Sequence, residues 1–326
     1  MKNILVTGGA GFIGSQTVLE LAEAGYLPVV YDNLSTGHKE AVLSGKLIIG
    51  DLADKKKLDQ VFKKFKPGAV LHFAASIEVE ESVKNPAKYL DNNTVHGFNL
   101  LTVMIRNNCK KLIFSSTAAV YGDPIRVPIK EGDRKSPINP YGFSKKMFEE
   151  SLGWYSNAYG LKSISLRYFN AAGADHSGKI GDDYPIPTHL ITRVILTALG
   201  RRPLLSIFGT DYPTPDGTCI RDYIHVKDLA LAHILALEKL DQKHSAAYNL
   251  GSGRGFSVKE VVDMAKKITG VDFKTKNSPR REGDPAELVA SVELAKKELG
   301  FKPKNSDLKT IIKTAWNWHK RHPDGY

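Results

Sequence analysis

A short apolar run that stops at a cluster of glycines and restarts as an amphipathic helix leaves a chain few folds to choose from. Residues 6–14 read VTGGAGFIG, with glycines at 8, 11 and 14, after the apolar stretch NILV and before a helical pattern near 12–25. In that setting each glycine has a physical task. One makes a tight turn out of the strand, one lets backbone approach a pyrophosphate, and one lets the helix pack closely on the strand, with phosphates over the helix N-terminus. A merely flexible loop is the competing reading; it loses because strand, loop and helix follow in the required order.

The rest of the first half repeats the alternation. NILVTG, LPVVYDN, KLIIGD, AVLHFAA, KKLIFSST and KSISLRYFN are short apolar runs, with helical patterns near 12–25, 54–65, 86–107 and 141–159 between them. Strand and helix in alternation imply a parallel sheet covered on both faces, an α/β fold of the Rossmann-type, doubly wound kind. From about residue 175 the texture changes. Loops rich in Gly, Pro and Asp separate helical patterns near 187–200, 227–240, 257–269 and 306–320. The expected division is a dinucleotide-binding domain over 1–173 and a smaller C-terminal α/β substrate-binding lobe over 174–326, with some chain crossing back to the first.

Composition removes several classes. With 42% apolar and 25% charged residues over 326 positions, the chain is globular and long enough for a core that needs no staples. Its two cysteines, Cys109 and Cys219, make neither a disulfide framework nor a metal site, which fits a reducing compartment. The opening MKNILVTGG is too short an apolar run for a signal sequence or membrane span, so a cytoplasmic location without membrane association is expected. The net charge of +11 is spread in short groups such as DKKKLD on helix faces, with no nucleic-acid module, and suits anionic small ligands better than nucleic acid.

Two acidic residues follow the glycine loop at strand ends. Asp32 is placed to accept both adenosine-ribose hydroxyls and to repel a 2′-phosphate, which selects NAD as cofactor over its phosphorylated form. Asp51 can face the adenine edge or be a plain turn aspartate. At residues 141–145, YGFSK opens a helix with Tyr141 and Lys145 one turn apart. In isolation such a pair is more often a packed ring and a solvated amine. Here FSSTAAVYG ends the fifth strand ahead of that helix. Tyrosine titrates near ~10, so as a base at neutral pH it needs nearby positive charge, which Lys145 and an oxidised nicotinamide supply.

The glycine spacing with Ser/Thr, Tyr and Lys resembles the extended short-chain dehydrogenase/reductase superfamily. Further stretches, among them YDNLSTG, ESVKNPAKYLDNN, RYFNAAGA, IFGTDYPTPDGTCIRDYIHVKDLA, YNLGSG and RREGDPA, are similar over essentially the whole chain to the UDP-glucose 4-epimerase family, also called UDP-galactose 4-epimerase. The resemblance implies an isomerase that interconverts UDP-galactose and UDP-glucose through a 4-keto sugar turning over in the pocket, with UDP-N-acetylhexosamines as further substrates. It implies Thr117, Tyr141 and Lys145 as catalytic residues. It implies cofactor contacts from Gly8, Gly11, Phe12, Ile13, Gly14, Asp32, Asn33, Asp51, Leu52, Phe73, Ala74, Ala75, Asn92, Ser115 and Tyr168, besides Tyr141 and Lys145. Substrate contacts follow from Thr117, Tyr141, Asn170, His189, Leu190, Ile207, Phe208, Arg221, Arg281, Asp284 and Leu288. Arginine's planar fork suits pyrophosphate oxygens, and an aspartate suits ribose hydroxyls. No metal is implied. A homodimer through the helices near 86–107 and 141–159 is, their surplus apolar residues being Tyr89, Phe98, Trp154 and Tyr155.

Three positions depart from the better-known members. Ile77 stands where they carry a lysine beside the cofactor, PTHL replaces paired asparagines before Leu190, and Leu288 replaces a tyrosine beside the sugar. On the same scaffold a UDP-pentose or UDP-uronate 4-epimerase is the alternative. A 4,6-dehydratase ranks below it, because Ala118 and Ala119 stand where dehydratases carry acids. A non-catalytic NAD-sensing regulator fits less well, since Tyr141 and Lys145 are both present.

Overall fold

The computed structural model describes residues 2–242, 245–281 and 283–326. Seven parallel strands form its main sheet, in the spatial order Ser245–Leu250, Lys162–Tyr168, Lys111–Thr117, Ala69–His72, Asn3–Thr7, Leu27–Asp32 and Lys46–Ile49. The chain starts in mid-sheet at Asn3–Thr7, builds outward to Lys46–Ile49, then returns to the other side at Ala69–His72. That reversal opens a crevice at the carboxyl ends of the strands, where ligands bind in open α/β sheets.

Six of the strands are those legible in the first half of the sequence. The seventh, Ser245–Leu250, comes from the second half and pairs in parallel with Lys162–Tyr168, Tyr248 opposite Leu166. Its preceding helix, Val226–Lys239, and the glycine-loop helix, Phe12–Glu23, cover one face over a core that includes Val18, Leu21, Leu229 and Ile234. Lys55–Phe65, His96–Arg106 and Pro140–Tyr159 cover the other face, with Leu58, Phe62, Leu100, Phe148 and Leu152 in its core.

Local chemistry sets the element ends that matter for the site. Asn139 caps the helix Pro140–Tyr159 by accepting from Gly142 N at 2.8 Å, Pro140 occupies its first turn where no N–H is needed, and Gly160 closes it at φ +67°. Tyr141 and Lys145 therefore lie in the first two turns of a long helix with a defined start. The helix expected near 86–107 is built differently. It runs as Pro86–Leu90, a π-type turn Asp91–Val95, then His96–Arg106. Asn93 holds that wider turn by accepting from Ser76 N at 2.8 Å and donating to Ser76 O at 2.9 Å. Tyr89 is fully buried within the chain and donates to Glu81 at 2.8 Å, so the expectation that it serves a dimer surface is corrected.

The second lobe has a small sheet of Asn170–Ala172, Ile220–His225, Gly255–Ser257 and Glu287–Leu288, and a separate pair, Leu205–Phe208 with Thr275–Ser278. Helices Leu190–Ala198, Val258–Thr269 and Leu308–Arg321 close its core around Ile195, Val261, Ile311 and Ile312. Two short helices that periodicity missed, Val79–Lys84 and Glu293–Leu299, complete the fold.

Candidate active site

The glycine loop has the form a phosphate cradle needs. Gly8 has φ +72°, and a Cβ there would stand 2.4 Å from Ala74 N; a Cβ on Gly14 would stand 2.1 Å from Gly8 O. Both positions are closed to any side chain by backbone. Gly11 is different: a Cβ there meets only Gly8 O at 3.5 Å, so its outer side is open. It also N-caps the helix Phe12–Glu23, which has no side-chain cap, leaving N–H groups for an anion at this end. Phe12 is buried beneath the loop and Ile13 packs on the sheet core.

Asp32 closes the second strand and binds the loop from the other side, accepting from Ala10 N and Leu34 N, each at 2.9 Å. Burial raises its carboxyl above the usual range despite those bonds. Asn33 donates to Asp51 at 2.7 Å, joining the ends of the second and third strands. Burial works to raise Asp51, but the Ala53 N–H, Asn33 and His96 together hold it below its ordinary value. Leu52 is buried in the core, and its carbonyl accepts from Asn99 at 3.1 Å. Phe73 and Ala74 both donate their N–H to Thr7 O. Ala75, Ser76 and Ile77 follow, and Asn92 donates to Ser76 Oγ at 3.1 Å.

The fifth strand ends against the helix of Tyr141. Lys145 is 3% exposed, donates to Ser115 O at 2.9 Å, and lies 4.9 Å from the Phe114 ring centroid. Burial pushes its ammonium down to about 7, against the pull of Glu149. Burial, and then the neighbouring Tyr168, drive the Tyr141 phenol well above its ordinary value, and the hydrogen bond with Thr117 opposes them. Ser115 in turn donates to Tyr168 OH at 3.1 Å. A buried neutral phenol and a lysine that loses its proton near neutrality form a pair whose charge state a cationic ring alongside would decide.

Several residues of this site hold positions to which the sequence motifs assign no role. Glu149, one turn beyond Lys145, accepts from Ser116 at 2.5 Å and from Arg167 at 3.0 and 2.7 Å, and Arg167 also donates to Tyr121 OH at 2.8 Å. The four-residue spacing from Lys145 was the available signal. Asn93 reaches across to Ser144 at 3.1 Å. Tyr184 is close enough to Tyr141 and Tyr168 to feel both, on a loop that Tyr326 and His38 hold through Asp183. No periodicity could have pointed to it.

The second lobe supplies the other wall. Asn170 donates to Asp222 O at 2.8 Å, and Leu288 pairs with Arg221 across the small sheet while packing against the cluster of Ala118, Tyr121 and Phe169. Arg221 is paired with Asp284 and also donates to Pro285 O at 2.7 Å. Ile207 and Phe208 end the strand Leu205–Phe208, and Arg281 stacks on the Phe208 ring, 4.2 Å from its centroid. His189 lies 3.1 Å from Asp182 just before Leu190; burial opposes its charge, but Asp182 raises it above the ordinary histidine value. The glycine loop, Asp32, Asn33, Asp51 and Thr117 end or follow strands of the main sheet, Tyr141 and Lys145 open the helix packed on the fifth strand, and Asn170, His189, Leu190, Ile207, Phe208, Arg221, Arg281, Asp284 and Leu288 all come after the sixth strand.

The family profile described as "NAD dependent epimerase/dehydratase family" matches residues 4–251. A UDP-glucose 4-epimerase of Halalkalibacterium halodurans is 50% identical over 324 residues, 99% of this chain and 97% of that one. Among solved structures, a UDP-glucose 4-epimerase from Brucella ovis in complex with NAD superposes with a TM-score of 0.95 at 50% identity, covering 97% of this chain and 98% of that one. One from Bifidobacterium longum in complex with NAD+ and UDP superposes with a TM-score of 0.95 at 38% identity, covering 99% of this chain and 100% of that one. With a glycine cradle, a buried tyrosine–lysine pair and this extent of likeness, the chain belongs to the NAD dependent epimerase/dehydratase family, among its UDP-glucose 4-epimerases.

Proposed function

We propose that Tyr141, Thr117 and Lys145 perform the proton chemistry of an NAD-dependent enzyme that interconverts UDP-glucose and UDP-galactose at C4. The observation that carries this reading is the buried Tyr141–Lys145 pair held at the end of the fifth strand, on the same carboxyl edge of the sheet as the open glycine cradle. The cradle fits NAD: Gly11 and the uncapped helix start would take its phosphates, and Asp32 its adenosine ribose. When bound, NAD supplies the hydride acceptor and donor at the sugar's C4. Tyr141 takes the proton of the 4-hydroxyl and later returns it; Thr117 orients that hydroxyl; Lys145 lends positive charge to the phenolate. Arg221, Arg281 and Asp284 anchor the nucleotide remote from C4, which leaves the sugar free to present either face. Assaying the purified protein for NAD content and for conversion of UDP-galactose without added oxidant tests this, and absence of conversion refutes it.

A cytoplasmic homodimer is part of the same reading. Trp154 is 76% exposed, and Phe143 and Tyr159 on its helix and Val95 in the neighbouring π-type turn are exposed too, apolar surface that a second copy would cover. Sedimentation that finds a monomer at micromolar concentration, or an unchanged mass for Trp154→Glu, counts against it.

A further inference from the structure

The arginines of the second lobe fall into two groups. Arg221 is matched by Asp284, and Arg280 by Asp211 at 2.8 Å. Arg193, Arg202 and Arg281 have no such match: none makes an ion pair among the described residues. Arg281 stacks 4.2 Å from the Phe208 ring centroid, and the Arg193 guanidinium approaches the same ring at 5.9 Å. Arg193 Nε and Arg202 Nε are both buried without a hydrogen-bond partner among the described residues. Burial first, then Arg202 and Arg281, hold Arg193 below the usual guanidinium range.

Arg193 and Arg281 share one aromatic ring, and the charge of Arg202 also acts on Arg193, so the like charges repel one another and the buried donors without an acceptor add to the cost. Such an arrangement is completed by a ligand rich in oxygen acceptors. Arg193 also sits in the first turn of the helix Leu190–Ala198, whose N-cap, His189, makes no side-chain cap, so unpaired N–H groups open at the same end. We propose that Arg193, backed by Arg202, is a further nucleotide-binding residue that donates to oxygens of the UDP group alongside Phe208 and Arg281. The inference rests on the UDP-sugar reading above and adds a cation to the Arg221 and Arg281 already assigned there.

Calorimetric titration of the NAD-loaded enzyme with UDP, UMP and uridine tests it without using turnover. Arg193→Met is expected to weaken UDP binding by at least ~10-fold, with Arg193→Lys recovering part of the loss, as for removal and partial return of a charged hydrogen bond. Arg202→Met is expected to weaken UDP by a smaller factor, and it keeps the test open should Arg193→Met lower the melting temperature. A loss that grows from uridine to UMP to UDP assigns the contact to phosphate oxygens; an equal loss in all three assigns it to the base carbonyls. Arg193 and Arg202 variants that bind UDP within about twofold of wild type overturn the inference while leaving the epimerase reading intact. A wild type that binds no UDP overturns both.

Discussion

Lys145 Nζ lies 2.9 Å from Ser115 O, and the next residue of that strand, Ser116, lies 2.5 Å from Glu149 one helical turn further on. Thr117, the residue after, hydrogen-bonds Tyr141. Three consecutive residues at the end of one strand thus grip three successive turns of one helix, through Tyr141, Lys145 and Glu149. Sliding the helix along the strand would break all three contacts at once, so the phenol and the ammonium are held in fixed relation by one strand end.

Tyr141→Phe removes the proton-carrying oxygen and leaves the ring in its pocket. Turnover is expected to fall by at least ~10²-fold with folding and NAD content retained, the scale of losing a general base. Near-native turnover of a variant whose NAD content matches wild type would take Tyr141 out of the mechanism.

Glu149→Gln removes the charge that raises Lys145 against burial. Lys145 then loses its proton at lower pH, so the alkaline limb of the kcat/KM profile should move toward acid. Breaking the pair with Arg167, both side chains 4% exposed, also strands a buried cation, at about 3–5 kcal/mol of stability. The pH profile separates the two effects: a variant that is only less stable keeps the limb where it was.

Leu288 packs beside Ala118 and Phe169 and pairs with Arg221, between the catalytic strand end and the nucleotide arginines. UDP-N-acetylglucosamine is expected as a secondary substrate, since a leucine is smaller than a tyrosine and larger than a cysteine. Relative to UDP-galactose, its turnover should fall in Leu288→Tyr and rise in Leu288→Cys. Equal ratios in all three proteins mean that Leu288 does not gate the sugar.

Four buried histidines make the fold acid-sensitive. Burial pushes His72 down to about 3, and His225, His233 and His319 down to about 4. Unfolded histidine titrates near ~6.5, so below that pH the unfolded chain binds protons that the folded one refuses. Their stabilising contribution is complete above ~6.5 and is lost as pH falls toward 4, on the order of several kcal/mol in all. Urea midpoints measured at about pH 7 and about pH 5 should differ, and His233→Leu should reduce the difference. Equal midpoints for wild type would show that these rings are not buried in their neutral form.

The chain's own order of residues determined the glycine cradle, the six strands of the first half, and the pairing of Tyr141 with Lys145, because each depends on contacts within a few residues or on a period of two or 3.6. Asp32 was legible for the same reason: the strand that ends there is apolar and short. Tertiary structure alone decided the seventh strand, since SAAYNL has no alternation strong enough to place it beside a strand some eighty positions earlier. It alone turned Asn92 and Asn93 toward Ser76 through a π-type turn, where helical periodicity predicts an unbroken helix. It alone set Arg193 against Arg202 and Arg281, and Arg167 against Glu149. Such pairings are fixed by which faces meet when two layers close, and neither spacing nor residue type along the chain carries that distance.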